Sequence, residues 1–220
     1  MATKKTEEKK QALTIQAPNM PTATFLIRGT VPYVQNRFSE KAKNEIKATQ
    51  LAGSTSKKGK KREPKDFQAC YEGALHRSAE GWFGIPAAAF RAAMISACRV
   101  AGFQMTRGKL TVFVEADGFD PEDMEPLVKI TKGEPQYFER YVRVASGTCD
   151  LRARPMWAPG WEALVRVRFD ADQFKLDDVA NLLMRVGMQV GVGEGRPDSP
   201  NSTGQGWGLF DLVGQEDDAK

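Results

Sequence analysis

A chain of 220 residues with 41% hydrophobic side chains is long enough for one sizeable core and too short for three ordinary domains. Its formal net charge of +4 hides an asymmetry, because residues 1–66 carry 15 basic and 6 acidic side chains while the rest of the chain is net acidic. One histidine, His76, excludes histidine-rich metal centres and two-histidine acid–base pairs, and the three scattered cysteines lack any CxxC spacing, so they read as small buried hydrophobes in a reducing compartment.

Residues 1–21 are polar and Lys/Glu-rich and are expected to form a disordered arm. The arm has no apolar signal core, and no apolar run approaches the ~20 residues of a bilayer span, so a cytoplasmic location is expected. A single domain is expected over 22–213. It starts with the strand TATFLIRGTVPYVQ, rich in β-branched and aromatic residues and punctuated by Gly29 and Pro32. Ser39 is placed to cap a short helix that stops at Gly53. Residues 54–66 follow as a mobile basic loop with no large apolar side chain before its end; Lys57, Lys58, Lys60, Lys61 and Arg62 are its candidate phosphate contacts.

GIPAAAFRAAMISACRVAG (84–102) predicts a close-packed helix, with Pro86 in its first turn and Gly102 at its stop. Strands are expected at 109–116, 126–131, 137–146, 149–157 and 161–170, the last three as one antiparallel meander. In that meander Arg152 and Arg154, and Arg166 and Arg168, stand two apart, so each pair shares a face of its strand while Val165, Val167 and Phe169 take the other. Tyr137, Tyr141, Trp157 and Trp161 lie close by in sequence. Arginines interleaved with aromatic rings suit a single-stranded nucleic acid, whose phosphates take the charge and whose bases stack on the rings.

LDDVANLLMRVG (176–187) predicts an amphipathic helix with an acidic first turn. The glycine-rich segment 190–208 comes after this helix and before a strand at 207–213, the reverse of a Rossmann fingerprint, and lacks a P-loop GK[ST]. It is expected to let backbone approach a ligand at Gly191, Gly193 and Gly195, with Arg196 as its charge. Residues 214–220 form an acidic tail. The carboxylates Asp117, Asp120, Glu122 and Asp123 do not match an EF-hand and read as an acidic turn, so neither a metal nor another cofactor is expected.

Taken together, FLIRGTVPYVQNRF, IPAAAFRAAMISACR, VGVGEGRP and GQGWGLFDLV resemble the RAMP superfamily, the RRM-like RNA-binding proteins of CRISPR effector complexes. The resemblance covers residues 22–213 in order of elements, but only two short stretches in actual residues. It maps the family's IPGSSLKGxLR-like segment onto Ile85 to Arg91 and its basic glycine-rich loop onto Gly191 to Gly208, although Ala87–Ala89 replace Gly-Ser-Ser and Glu194 and Asp198 add acid to the loop. It implies an α+β fold of ferredoxin/RRM type, an antiparallel sheet backed by two helices. It also implies a non-catalytic subunit that binds single-stranded nucleic acid, RNA ahead of DNA, and multimerises along the strand or joins a larger ribonucleoprotein. Arg91 joins the candidate contacts on this basis. The alternatives are a phage-encoded single-stranded DNA-binding protein of recombination or replication, a structural or host-defence-interacting protein, and a metal-independent ribonuclease using His76 as general acid or base.

Overall fold

The computed structural model describes residues 16–37, 40–51, 64–143, 149–199 and 204–214. The expected arm up to residue 15, the tail beyond Gly214 and residues 52–63 lie outside them; with the last go the Gly53 stop, Lys57, Lys58, Lys60, Lys61 and Arg62. In chain order the elements are β1 (Thr22–Gly29), β2 (Tyr33–Val34), α1 (Glu40–Leu51), α2 (Phe67–Glu72), β3 (Gly84–Pro86), α3 (Ala87–Val100), α4 (Met105–Thr111), β4 (Val112–Glu115), β5 (Gly118–Phe119) and β6 (Pro126–Lys132). They continue with β7 (Gln136–Arg143), β8 (Cys149–Trp157), β9 (Glu162–Phe169), α5 (Leu176–Arg185) and β10 (Phe210–Leu212). The chain is therefore an α+β protein with antiparallel pairing throughout its described sheets. No helix among the described residues is long and apolar enough to cross a membrane.

The main sheet runs β10-β1-β9-β6-β3, with β4 also pairing β9 and β5 pairing β6. Strict alternation builds its two faces. On β9, Ala163, Val165, Val167 and Phe169 are buried while Glu162, Leu164, Arg166 and Arg168 point the other way, as the period of two requires. Opposite them on β1, Ile27 is buried beneath the helices and Thr22, Thr24, Leu26 and Arg28 share the outer face. The helices α3 and α5 pack on each other and on the inner face through Phe90, Met94, Ala97, Val179 and Leu183, closing a single core cluster from β1 to β10.

Several boundaries differ from expectation for local reasons. The stretch 109–116 begins as helix rather than strand: Thr111 Oγ1 donates to the Arg107 carbonyl at 3.0 Å, and Arg91 ties down the carbonyls of Lys109 and Val112. The helix expected from residue 84 starts at Ala87, because Gly84–Pro86 pairs with β6 as β3. The α5 helix loosens into a π-helical turn over Val186–Val190, where Gly187 leaves room for the Phe210 carbonyl. Residues 67–72 form a helix that composition alone did not indicate.

The meander is the main correction. β7 and β8 pair as a hairpin and, with β2, make a separate sheet of order β2-β8-β7, while β9 enters the main sheet. The chain changes sheets twice at one corner, before β2 and after β8, where Gly29 N–H donates to the Trp161 carbonyl and Gly160 N–H to the Gly29 carbonyl, each at 2.7 Å. A β-carbon on Gly29 would fall 1.9 Å from the Trp161 indole nitrogen, so the corner closes only around glycine. Trp157 and Trp161 are fully buried there, with Tyr33 5.3 Å and 5.5 Å from their rings. They belong to the joint between sheets, not to a stacking surface; Tyr137 and Tyr141 of β7 do stay exposed.

Candidate nucleic-acid interface

The split sheet separates the four platform arginines. Arg166 and Arg168 lie on the outer face of the main sheet, where register supplies acid to each cation. Arg166 bridges Asp117 at 2.9 Å and donates to the Ala116 carbonyl, and Arg168 lies 3.6 Å from Glu115. Arg28 stands directly opposite Glu162 and bridges it at 2.8 Å, with Lys132 adding 3.1 Å to the same carboxylate. Partial burial works against the Glu162 charge, yet the hydrogen bonds from Arg28 and Lys132 hold its carboxyl below the usual range. Arg91 is likewise committed: it donates to two backbone carbonyls and lies 4.9 Å over the Phe113 ring. That geometry makes it a clamp on the α4–β4 junction.

Arg152 and Arg154 stand elsewhere, on the hairpin, and there the charge does not cancel. Pairing of β7 with β8 sets Arg140 directly across from Arg152 and Phe138 across from Arg154, so three guanidinium groups share one face. Like charges directly opposite one another destabilise a strand pair. The Arg140 guanidinium lies 4.8 Å over the Trp207 ring, and its buried Nη1 has no hydrogen-bond partner. Phe138 packs edge-on against the same indole at 5.8 Å. The carboxylates within reach are Glu194, which takes 2.7 Å from Arg154 Nε and lies 3.9 Å from Arg152, and Asp150, which Arg152 shares with Lys65. Arg140 recurs with Arg143 among the arginines of the meander in the sequence but is not among the candidate contacts, and Trp207 appears there only as the start of the last strand, because their joint role depends on cross-strand register and on a loop far along the chain.

The glycines of 190–208 have positive φ, and several backbone N–H groups of the loop are bonded inside the protein. Val192 donates to Gly208, Glu194 to Val34 at 2.8 Å, Gly208 to Pro32 at 2.8 Å, and both Gln205 and Trp207 to Gly195. A β-carbon on Gly193 would meet the Val34 carbonyl at 2.5 Å and the Tyr33 ring at 2.6 Å, in a φ of +83°. Gly193 seats the loop against β2 while Gly191 and Gly195 pack against Trp207, and Arg196 folds back onto the Gly193 carbonyl. What the loop delivers to the hairpin face is the Glu194 carboxylate and the Trp207 ring.

His76 lies apart from both arginine groups. Its Nδ1 is buried 3.4 Å from Asp120 Oδ2, and Asp120 in turn faces Arg37 at 3.2 Å. Arg37, 8% exposed, gathers Glu122 at 2.6 Å and Asp123 at 3.4 Å as well, so Asp120, Glu122 and Asp123 close around a guanidinium. Among the described residues no group of three or more candidate ligands is placed to hold a metal ion. Burial pushes the imidazole pKa down, and the Asp120 carboxylate only partly restores it. Gln35 completes the cluster, donating to the Gly84 carbonyl at 2.7 Å and accepting from the His76 N–H at 2.9 Å. The arrangement ties the segment after β2 to the 74–84 segment and the acidic turn.

No protein-family model matches the chain, and no curated protein matches it significantly.

Proposed function

We propose that the protein binds single-stranded nucleic acid, RNA ahead of DNA, without catalysis, and that the β7–β8 hairpin face carries the contact. One observation carries the reading: Arg140, Arg152 and Arg154 share a face with the Trp207 ring, with more guanidinium than carboxylate and one buried N–H unpaired. Such a surface offers charge to phosphates, with the Trp207 ring supporting the guanidinium of Arg140. The basic residues 57–62 add phosphate affinity of a sequence-independent kind. His76 has no part in this function, since its ring is enclosed with Asp120 and Arg37.

A ferredoxin/RRM-like fold is part of the proposal. It is supported by the order β1, α3, β4 with β6, β9, α5, β10 along the chain, combined with β10-β1-β9-β6 across the sheet. On this view the hairpin is an insertion between the second and third core strands; a relation to RAMP proteins and self-association along a bound strand are further parts of the proposal.

The test is fluorescence anisotropy with labelled single-stranded RNA, single-stranded DNA and duplex DNA at low and moderate salt. Salt-sensitive binding that favours RNA supports the reading, and preference for single-stranded DNA redirects it to a replication or recombination role. Absence of binding to all three overturns it and leaves a protein partner as the target of the basic surface.

A further inference from the structure

The hairpin face contains an anion that is part of the chain. Glu194 is the carboxylate that the glycine-rich loop inserts between Arg152 and Arg154, and its own side chain is only 15% exposed. Its backbone is fixed: the N–H is bonded to the Val34 carbonyl, and the glycines on either side sit at φ of +83° and +78° against Tyr33 and Trp207. The carboxylate therefore reaches the arginines from a rigid mount and leaves them by side-chain rotation alone, with no movement of the loop.

We propose that Arg140, Arg152 and Arg154 form a subsite for one phosphodiester group, and that Glu194 is its internal competitor. The inference rests on the nucleic-acid reading above and adds how that site is regulated. Two features argue for it. The cross-strand pair Arg140–Arg152 sets like charges opposite each other, and the carboxylates nearby lie off-centre: Glu194 reaches Arg154 at 2.7 Å but Arg152 only at 3.9 Å, and Asp150, 3.4 Å from Arg152, is shared with Lys65. Arg140 Nη1 is buried without a partner, a state whose desolvation cost is recovered when an acceptor arrives. A phosphate, with two free oxygens, has the acceptors to serve Arg140 and Arg152 together, whereas the Glu194 tether ends at the Arg154 side. Glu194 holds the guanidinium fan in place when the site is empty and lowers affinity for any anion that enters.

The sign of one substitution decides the matter. In the full-length chain, Glu194→Gln removes the competing charge and keeps the shape, so affinity for a labelled single-stranded oligonucleotide is expected to rise about tenfold. Glu194→Asp, which retracts the charge by one methylene, gives a smaller rise and serves as the second variant if the first folds poorly. Unchanged or weaker binding by both variants overturns the proposal and makes Glu194 a positioning partner of the arginines. Pyrophosphate, read by thermal shift, gives an arm independent of oligonucleotide binding. A larger stabilisation of Glu194→Gln than of the unmodified chain supports the subsite even if no oligonucleotide binds, in which case only the nucleic-acid reading fails. Equal or smaller stabilisation counts against the subsite.

Discussion

The outer face of the main sheet and the face of the β7–β8 hairpin are both built from arginines spaced two apart on a strand, and they use them in opposite ways. On the sheet, Arg28 meets Glu162, Arg166 meets Asp117 and Arg168 approaches Glu115, so the face is a lattice of ion pairs that is close to neutral. On the hairpin, register sets Arg140 against Arg152, and the acid nearby satisfies only part of the positive charge. An arginine pair is thus uninformative by itself. Its meaning depends on what the neighbouring strand places opposite, and the unbalanced charge of the hairpin is what the proposed function rests on.

The buried Arg37 cluster sets the upper limit of what an arginine does for stability here. Arg37→Met strands Asp120, which is 2% exposed, without its counter-charge, and is expected to cost about 3–5 kcal/mol in chemical denaturation. A loss well below 1 kcal/mol would mean that the cluster is hydrated, not dry.

The hairpin and sheet are separated by a crossed experiment. Replacing Arg140, Arg152 and Arg154 together by Gln is expected to lower affinity for single-stranded nucleic acid by about tenfold per arginine, and, since the three serve one phosphate, to flatten the salt dependence by roughly 0.7 in log–log slope. Stability should change little, because one like-charge contact disappears with the ion pairs. Arg166→Gln should do the reverse, leaving affinity within about twofold while costing up to about 1 kcal/mol of stability through Asp117. If Arg166→Gln weakens binding as much as the hairpin variant, the comparison collapses and the main sheet is the interface.

The smallest effect concerns pH. The folded-state pKa of His76 lies below the ordinary value of 6.5, so between those two values the unfolded chain holds the extra proton and the folded chain does not. Stability from this group is complete above about 6.5 and is lost as the pH falls through that window. A melting-temperature profile of His76→Gln should lack this component, while the acid limb due to carboxylates such as Asp123 and Glu162, whose pKa values are lowered in the fold, remains at lower pH. An unchanged profile above pH 5 would show that Asp120 fully offsets the burial.

Much of the fold was legible where one residue's environment repeats with a fixed period. The alternation over 161–170 put Val165, Val167 and Phe169 inside and Arg166 and Arg168 outside, and the alanine-rich run ending at Gly102, with φ of +76°, closed as a helix where its composition indicated. The acidic first turn of α5 likewise takes its place, with Asp178 accepting the Lys175 N–H at 2.9 Å. Less legible were features in which a local pattern has two solutions. Glycines at 191, 193 and 195 mark either a ligand cradle or a tightly packed turn, and the pattern alone does not show that the neighbouring Glu194 N–H is bonded to the Val34 carbonyl.

Composition and periodicity determined, from the chain alone, that helices and strands are mixed, which strands carry arginine on one side, and where the long helices lie, because those properties depend on neighbours two to four residues away. Tertiary structure alone decided that β8 and β9 belong to different sheets, that Arg140 faces Arg152 under Trp207, and that Arg37, His76 and Asp120 meet in one buried cluster. Those pairings join residues 12 to 83 positions apart, and their energies come from cross-strand register and burial, which no local pattern contains.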